Sequence, residues 1–128
     1  MGPVEKAIRT RVTEGMTLFT APRRRPFIVK ALPDDAVILL FGQQKTRNRF
    51  NWHLLESVVP FLKNRGWVEI RSVHVTSGIP GSLDGHLKDN GPKVTSGGYI
   101  AAVLEKAGIV DVDLRAPAKV RLSQAWSK

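Results

Sequence analysis

Two apolar runs separated by a three-residue breaker constrain this chain more than any other feature. Phe27–Leu32 (FIVKAL) and Ala36–Phe41 (AVILLF) are rich in β-branched and large apolar residues, and Pro33, Asp34 and Asp35 stand between them. Proline presets φ and aspartate bonds its own backbone, so the breaker predicts a tight turn and the two runs a β-hairpin. A further short strand is expected at Met16–Ala21, broken by Pro22 and followed by Arg23-Arg24-Arg25 and Pro26. Gly42 ends the hairpin, and Gln43–Arg49 reads as a polar, basic connector. Met1–Thr10 is expected to be a loosely held start.

Past residue 50 the hydrophobic period changes from two to 3.6. Leu55, Val58, Val59 and Leu62 fall at i, i+3, i+4 and i+7, with Trp52 one turn earlier and Asn51 placed to cap the start. Pro60 interrupts this pattern, which predicts either a kink or a second short turn beginning at Ser57. Trp67–Val75 (WVEIRSVHV) alternates as a strand, and Ile79-Pro80-Gly81 reads as a loop. Ser82 caps a short helix bearing Leu83 and Leu87, stopped by Asn90-Gly91-Pro92. Ile100, Val103, Leu104 and Ala107 mark another helix, capped by Thr95 or Ser96 and closed by Gly108. Ile109–Leu114 and Ala118–Leu122 form two short strands around Arg115-Ala116-Pro117. The chain divides into a loose start (1–15), a basic β element (16–49) and a helical unit with a terminal ribbon (50–128), the last two forming one body.

Composition narrows the function. With no cysteine, disulfide scaffolds, zinc ribbons, thiolate metal sites and a cysteine nucleophile are excluded. The longest apolar run, Ala36–Phe41, is far below a membrane span, so a cytoplasmic protein without a membrane partner is expected. Twenty Lys and Arg against 11 Asp and Glu give a net charge of +9 on 128 residues, which points to a polyanionic partner, nucleic acid first. The charge is uneven: residues 1–66 carry 12 cations against 5 carboxylates, residues 67–128 carry 8 against 6. Three clusters stand out: Arg23, Arg24 and Arg25; Lys45, Arg47 and Arg49; and Arg115, Lys119 and Arg121. An extended segment would project Lys45, Arg47 and Arg49 to one side. The start of the helix at Ser96 offers free N–H groups, the small residues Gly97 and Gly98, and Lys93 and Thr95 beside them, the makings of an anion site.

Enzyme chemistry is poorly represented. His53, His74 and His86 have no metal-ligand spacing, and no serine has a histidine partner at a telling distance in sequence. Pro33-Asp34 far ahead of Glu69-Ile70-Arg71 resembles the PD-(D/E)xK nuclease layout loosely, with Arg where Lys belongs. No metal, cofactor or catalytic residue is expected.

From residue 51 onward the segments SLDGHLKD, NGPKVT, SGGYIAAVLEKAGIV and VDL-RAPA-KVRL, in this order, resemble the winged helix-turn-helix superfamily over about residues 51–122. The resemblance implies an α+β fold, an N-terminal β-hairpin element followed by a winged helix-turn-helix. It also implies a recognition helix from Ser96 in the major groove and a wing at Arg115–Lys119 on the backbone or minor groove. That helix carries mainly Gly, Ala, Tyr99 and Lys106 where base-reading residues usually stand. The function so implied is binding of double-stranded DNA without catalysis, as a regulator or as the targeting domain of a larger protein. Its expected contacts are Arg23, Arg24, Arg25, Lys45, Arg47, Arg49, Lys93, Thr95, Ser96, Gly97, Arg115, Lys119 and Arg121. Two alternatives are a reader of modified bases, stacking them on Trp52, Trp67, Trp126 or Tyr99, and a winged helix used for protein contacts. A homodimer and fusion to further domains are both compatible with this reading.

Overall fold

The computed structural model describes residues 1–71 and 81–128. It is a mixed α+β fold with two antiparallel sheets and four helices among the described residues. The expected hairpin forms β2 (Pro26–Ala31) and β3 (Ala36–Phe41), paired antiparallel with Ile28 opposite Leu40 and Val29 opposite Leu39. β1 (Thr17–Phe19) adds to the β2 edge. The segment expected as a connector is a strand instead: β4 (Thr46–Asn51) pairs with β3 along its whole length, completing the order β1-β2-β3-β4. Alternating Arg47, Arg49 and buried Phe50 are the pattern of a strand with one solvated face.

The start of the chain is not loose. Pro3–Arg11 is a helix, α1, with Val4 and Ile8 buried in the core and Val12 buried directly after it. Its apolar side chains recur every four residues, and proline at the first turn suits a helix start. Glu56, from the next helix, accepts the N–H groups of Val4 at 3.1 Å and Glu5 at 2.9 Å. Arg9 donates to the carbonyls of Leu32 and Pro33, each at 2.7 Å, and lies over the Trp52 ring. The helix is thereby tied to the β2–β3 turn.

α2 (Trp52–Leu62) runs through Pro60 as one helix, and Asn51 caps it by accepting the N–H of Leu54. β5 is Val68–Glu69, shorter than the expected strand, of which residues 72–75 lie outside the described residues. His74 and the loop at 79–80 also fall there. α3 (Leu83–Asn90) is capped by Ser82 as expected. α4 (Gly97–Lys106) ends at Gly108, whose φ of +80° is the left-handed conformation that closes helices. β6 (Val110–Asp113) and β7 (Lys119–Leu122) follow, and β7 lies between β5 and β6. One hydrophobic cluster joins residues from α1, both sheets, α2, α3 and α4, so the β element and the helical unit share a core. Among the described residues no helix is long and apolar enough to cross a membrane.

Candidate functional site

The sheet topology brings two connectors to one end. Because β2 and β3 are antiparallel, the β1–β2 loop (residues 20–25) and the β3–β4 turn (residues 42–45) leave the same end of the sheet. The first turn of α4 packs there: the Tyr99 ring stacks on Phe41 with centroids 3.5 Å apart and meets Phe27 edge-on. The loop is fixed to α4 by its backbone, since Ala21 donates its N–H to the Gly98 carbonyl. A Cβ at Gly98 would stand 2.5 Å from the Ala21 carbonyl oxygen, so only glycine permits this approach.

This docking forms a cavity of about 250 Å³ whose lining includes Thr20, Arg23, Arg25, Arg71, Thr95 and Tyr99. The three arginines come from two separate segments, the β1–β2 loop and the residue after Ile70. None has an ion-pair partner among the described residues. Residues 72–80 (SVHVTSGIP) contain no Asp or Glu that could supply one. Arg24 departs from its neighbours: its guanidinium lies over Phe19, beside a second cavity lined by Ala102, Glu105 and Lys106. The arginine run is thus split, two into the cavity and one away from it.

The other expected contacts are distributed unequally. Thr95 joins the cavity, but Ser96 and Gly97 are buried, and the helix start that was to receive an anion is already occupied. Asp84 of α3 accepts the N–H groups of Ser96 at 3.0 Å and Gly97 at 3.2 Å. This carboxylate supplies the negative charge that a helix N-terminus favours. The expected cap by Thr95 or Ser96 is not made, and the Ser96 hydroxyl has no partner among the described residues. The recognition-helix expectation meets a further obstacle. α4 is buried from Gly97 to Leu104 except for half-buried Tyr99, leaving only Glu105 and Lys106 exposed. The four-stranded sheet and α1 pack against it, so no face is left to enter a groove. Lys93 is exposed, its amine donating to the Lys88 carbonyl.

Arg47 and Arg49 share the solvated face of β4, and Lys45 sits in the preceding turn with φ of +52°. Arg47 lies opposite Leu40, toward the cavity end of the sheet, whereas Arg49 lies opposite Ile38 and pairs with Asp35. In the β6–β7 ribbon every expected cation faces a carboxylate. Arg115 forms a two-pronged bond with Asp113, and that bond holds the Asp113 carboxyl down at about 2. Arg121 bonds Asp111 at 3.1 Å and covers the Trp67 ring. Lys119 stands between Glu69 and Asp113 in the strand register. Trp52 is buried under Arg9 and Trp126 packs half-buried on the core, so the rings offered for base stacking are engaged by their own neighbours.

Two catalytic readings also take definite positions. Asp34 and Asp35 lie in the β2–β3 turn, at the sheet end opposite the cavity that Arg71 lines, so the loose nuclease pattern is not assembled. The fold does bring together one pair that sequence spacing gave no sign of: Ser57 Oγ and His86 Nε2 are 2.9 Å apart. Ser57 donates its single hydroxyl proton to the Leu54 carbonyl at 2.5 Å, which makes His86 Nε2 the donor in the other bond. The imidazole therefore does not act as a base toward this serine. It stacks on Phe61, and burial keeps its pKa below the ordinary histidine value.

No protein-family model matches the chain, and neither does any curated protein or solved structure.

Proposed function

We propose that this protein binds double-stranded DNA through its phosphates, without catalysis, at the end of the four-stranded sheet where the β1–β2 loop meets α4. The observation that carries the reading is that Arg23, Arg25 and Arg71 line one cavity with no carboxylate beside them among the described residues. Lys45 and Arg47, at the same end, extend the positive surface beyond the cavity. An uncompensated cationic concavity raises the local concentration of polyanions and exchanges condensed counterions for fixed guanidiniums.

The element order from α2 to β7, with β7 between β5 and β6, resembles the order expected of a winged helix-turn-helix, and that resemblance supports choosing duplex DNA among polyanions. The proposed contacts differ from those usual in that superfamily, because α4 is covered and they come from loops around its start. Phosphate contacts carry no sequence information directly, so weak base discrimination follows.

The test is a salt titration of binding to a duplex. Five cations, Arg23, Arg25, Arg71, Lys45 and Arg47, predict a log–log slope of about −4.5. A slope near zero would sink the proposal, and tight binding to one sequence only would remove the phosphate-led account.

A further inference from the structure

Resting on the DNA reading above, we infer that the Arg23–Arg25–Arg71 cavity holds a terminal phosphate, the phosphomonoester at the end of a DNA strand. The number of arginines on one cavity favours this over a phosphate inside a strand. Arg23 and Arg25 line the cavity from the β1–β2 loop and Arg71 lines it from beyond β5, so two separate segments bring three cations to one cavity. The backbones of Ala21 and Gly98, bonded to each other, wall the cavity on one side.

Charge and oxygen count agree. A phosphomonoester carries about −1.5 to −2 near neutral pH and offers three terminal oxygens. A phosphodiester inside a strand carries a single charge and two such oxygens. Three guanidiniums, each a planar fork able to grip two oxygens, fit the monoester better. At about 30 Å³ per water, the cavity's 250 Å³ corresponds to roughly eight waters, room for a phosphate and its sugar. The Thr95 hydroxyl at the rim supplies a neutral donor.

The experiment uses the full chain and one duplex in four forms: 5′-phosphorylated, 3′-phosphorylated, hydroxyl-ended, and closed into a circle. Anisotropy or mobility shift is read at one low salt concentration, with a nucleoside monophosphate as competitor. The expected result is at least about tenfold tighter binding to one phosphorylated form than to the hydroxyl-ended one, the gain of a charge-assisted, two-pronged contact. Arg71→Ala should abolish that preference, and Arg71→Lys, which keeps the charge but loses the fork, should restore only part of it. Equal affinity for the circle and both phosphorylated forms overturns the terminal-phosphate inference and leaves DNA binding standing. Binding of the nucleoside monophosphate with no binding of any duplex overturns both, and assigns the cavity to a free phosphomonoester.

Discussion

The end of the four-stranded sheet and the β6–β7 ribbon carry similar numbers of cations but differ in what stands beside them. Around the cavity, Arg23, Arg25 and Arg71 meet no carboxylate among the described residues. In the ribbon, Arg115 bonds the Asp113 side chain, and Lys119 and Arg121 stand opposite Glu69 and Asp111 in strand register. A cation already hydrogen-bonded to a carboxylate neutralises a phosphate only by giving up that bond. Net charge therefore overstates the binding charge, and the position of carboxylates decides which cluster is available to a partner.

The sharpest way to break this contrast is to delete each side in turn. Replacing Arg23, Arg25 and Arg71 by alanine should weaken duplex binding on the order of 100-fold at low salt and flatten the salt slope by about three. Replacing Arg115, Lys119 and Arg121 should cost no more than about threefold and leave the slope within about one unit. Equal losses from the two triple variants would erase the distinction between compensated and free cations. Circular dichroism and a melting curve on both proteins separate a binding defect from misfolding.

A gain of function sharpens the same contrast. Asp111→Asn with Asp113→Asn keeps the ribbon's shape and removes two of its carboxylates. If compensation is what silences Arg115 and Arg121, duplex affinity should rise by about three- to tenfold and the slope should steepen by one to two units, at about 0.9 per phosphate. An unchanged slope would mean that the ribbon lies out of reach of the bound duplex, whatever its charge.

Much of this architecture was legible in the chain, and the failures share a physical cause. The β2–β3 hairpin, the Asn51 and Ser82 caps, the α4 stripe and the Gly108 terminus follow from local chemistry: turn residues, cap side chains, and apolar spacing. α1 was equally local, with Pro3 at the first turn and Val4, Ile8 and Val12 four apart, but its polar companions made it read as a loose tail. The start of α4 departs from expectation for a different reason. Gly97 and Gly98 signal close approach, yet sequence does not say of what: here Ile70, Asp84 and Ala21, instead of a ligand. Asp84 sits in the first turn of its own helix, and it also caps a helix twelve residues further along. Arg71 was passed over as a binding residue because its neighbours in the cavity, Arg23 and Arg25, lie more than 40 positions away in sequence. Pairings across such distances depend on the packing of the two sheets about α4, which no periodicity records.

The smallest expected effect concerns pH, and it separates the binding surface from the scaffold. The cavity's cations are guanidiniums, which stay charged throughout the neutral range, so affinity for a duplex without terminal phosphates should hold constant from about pH 8 to about pH 6. Stability should not. His86, from α3, stacks on Phe61 and bonds Ser57 of α2, with Asp89, Asn90 and Arg65 around it. Burial lowers its pKa in the folded protein, with Arg65 adding to the shift and Asp89 opposing it. The unfolded chain then takes up a proton near the ordinary value of 6.5 while the folded chain still resists it, so stability falls as pH drops below that value. The loss is complete once pH passes below the folded value. Asp113, held down at about 2, contributes its own loss only in a separate, more acidic window below its ordinary 3.8. Denaturant midpoints measured between about pH 7.5 and about pH 5 should therefore decline in the native protein and decline less in His86→Gln, which keeps a donor toward Ser57. Parallel declines in the two proteins would move the pH sensitivity to another group, and an affinity that changed with pH at constant fold would mean that a titrating side chain, not arginine alone, meets the DNA.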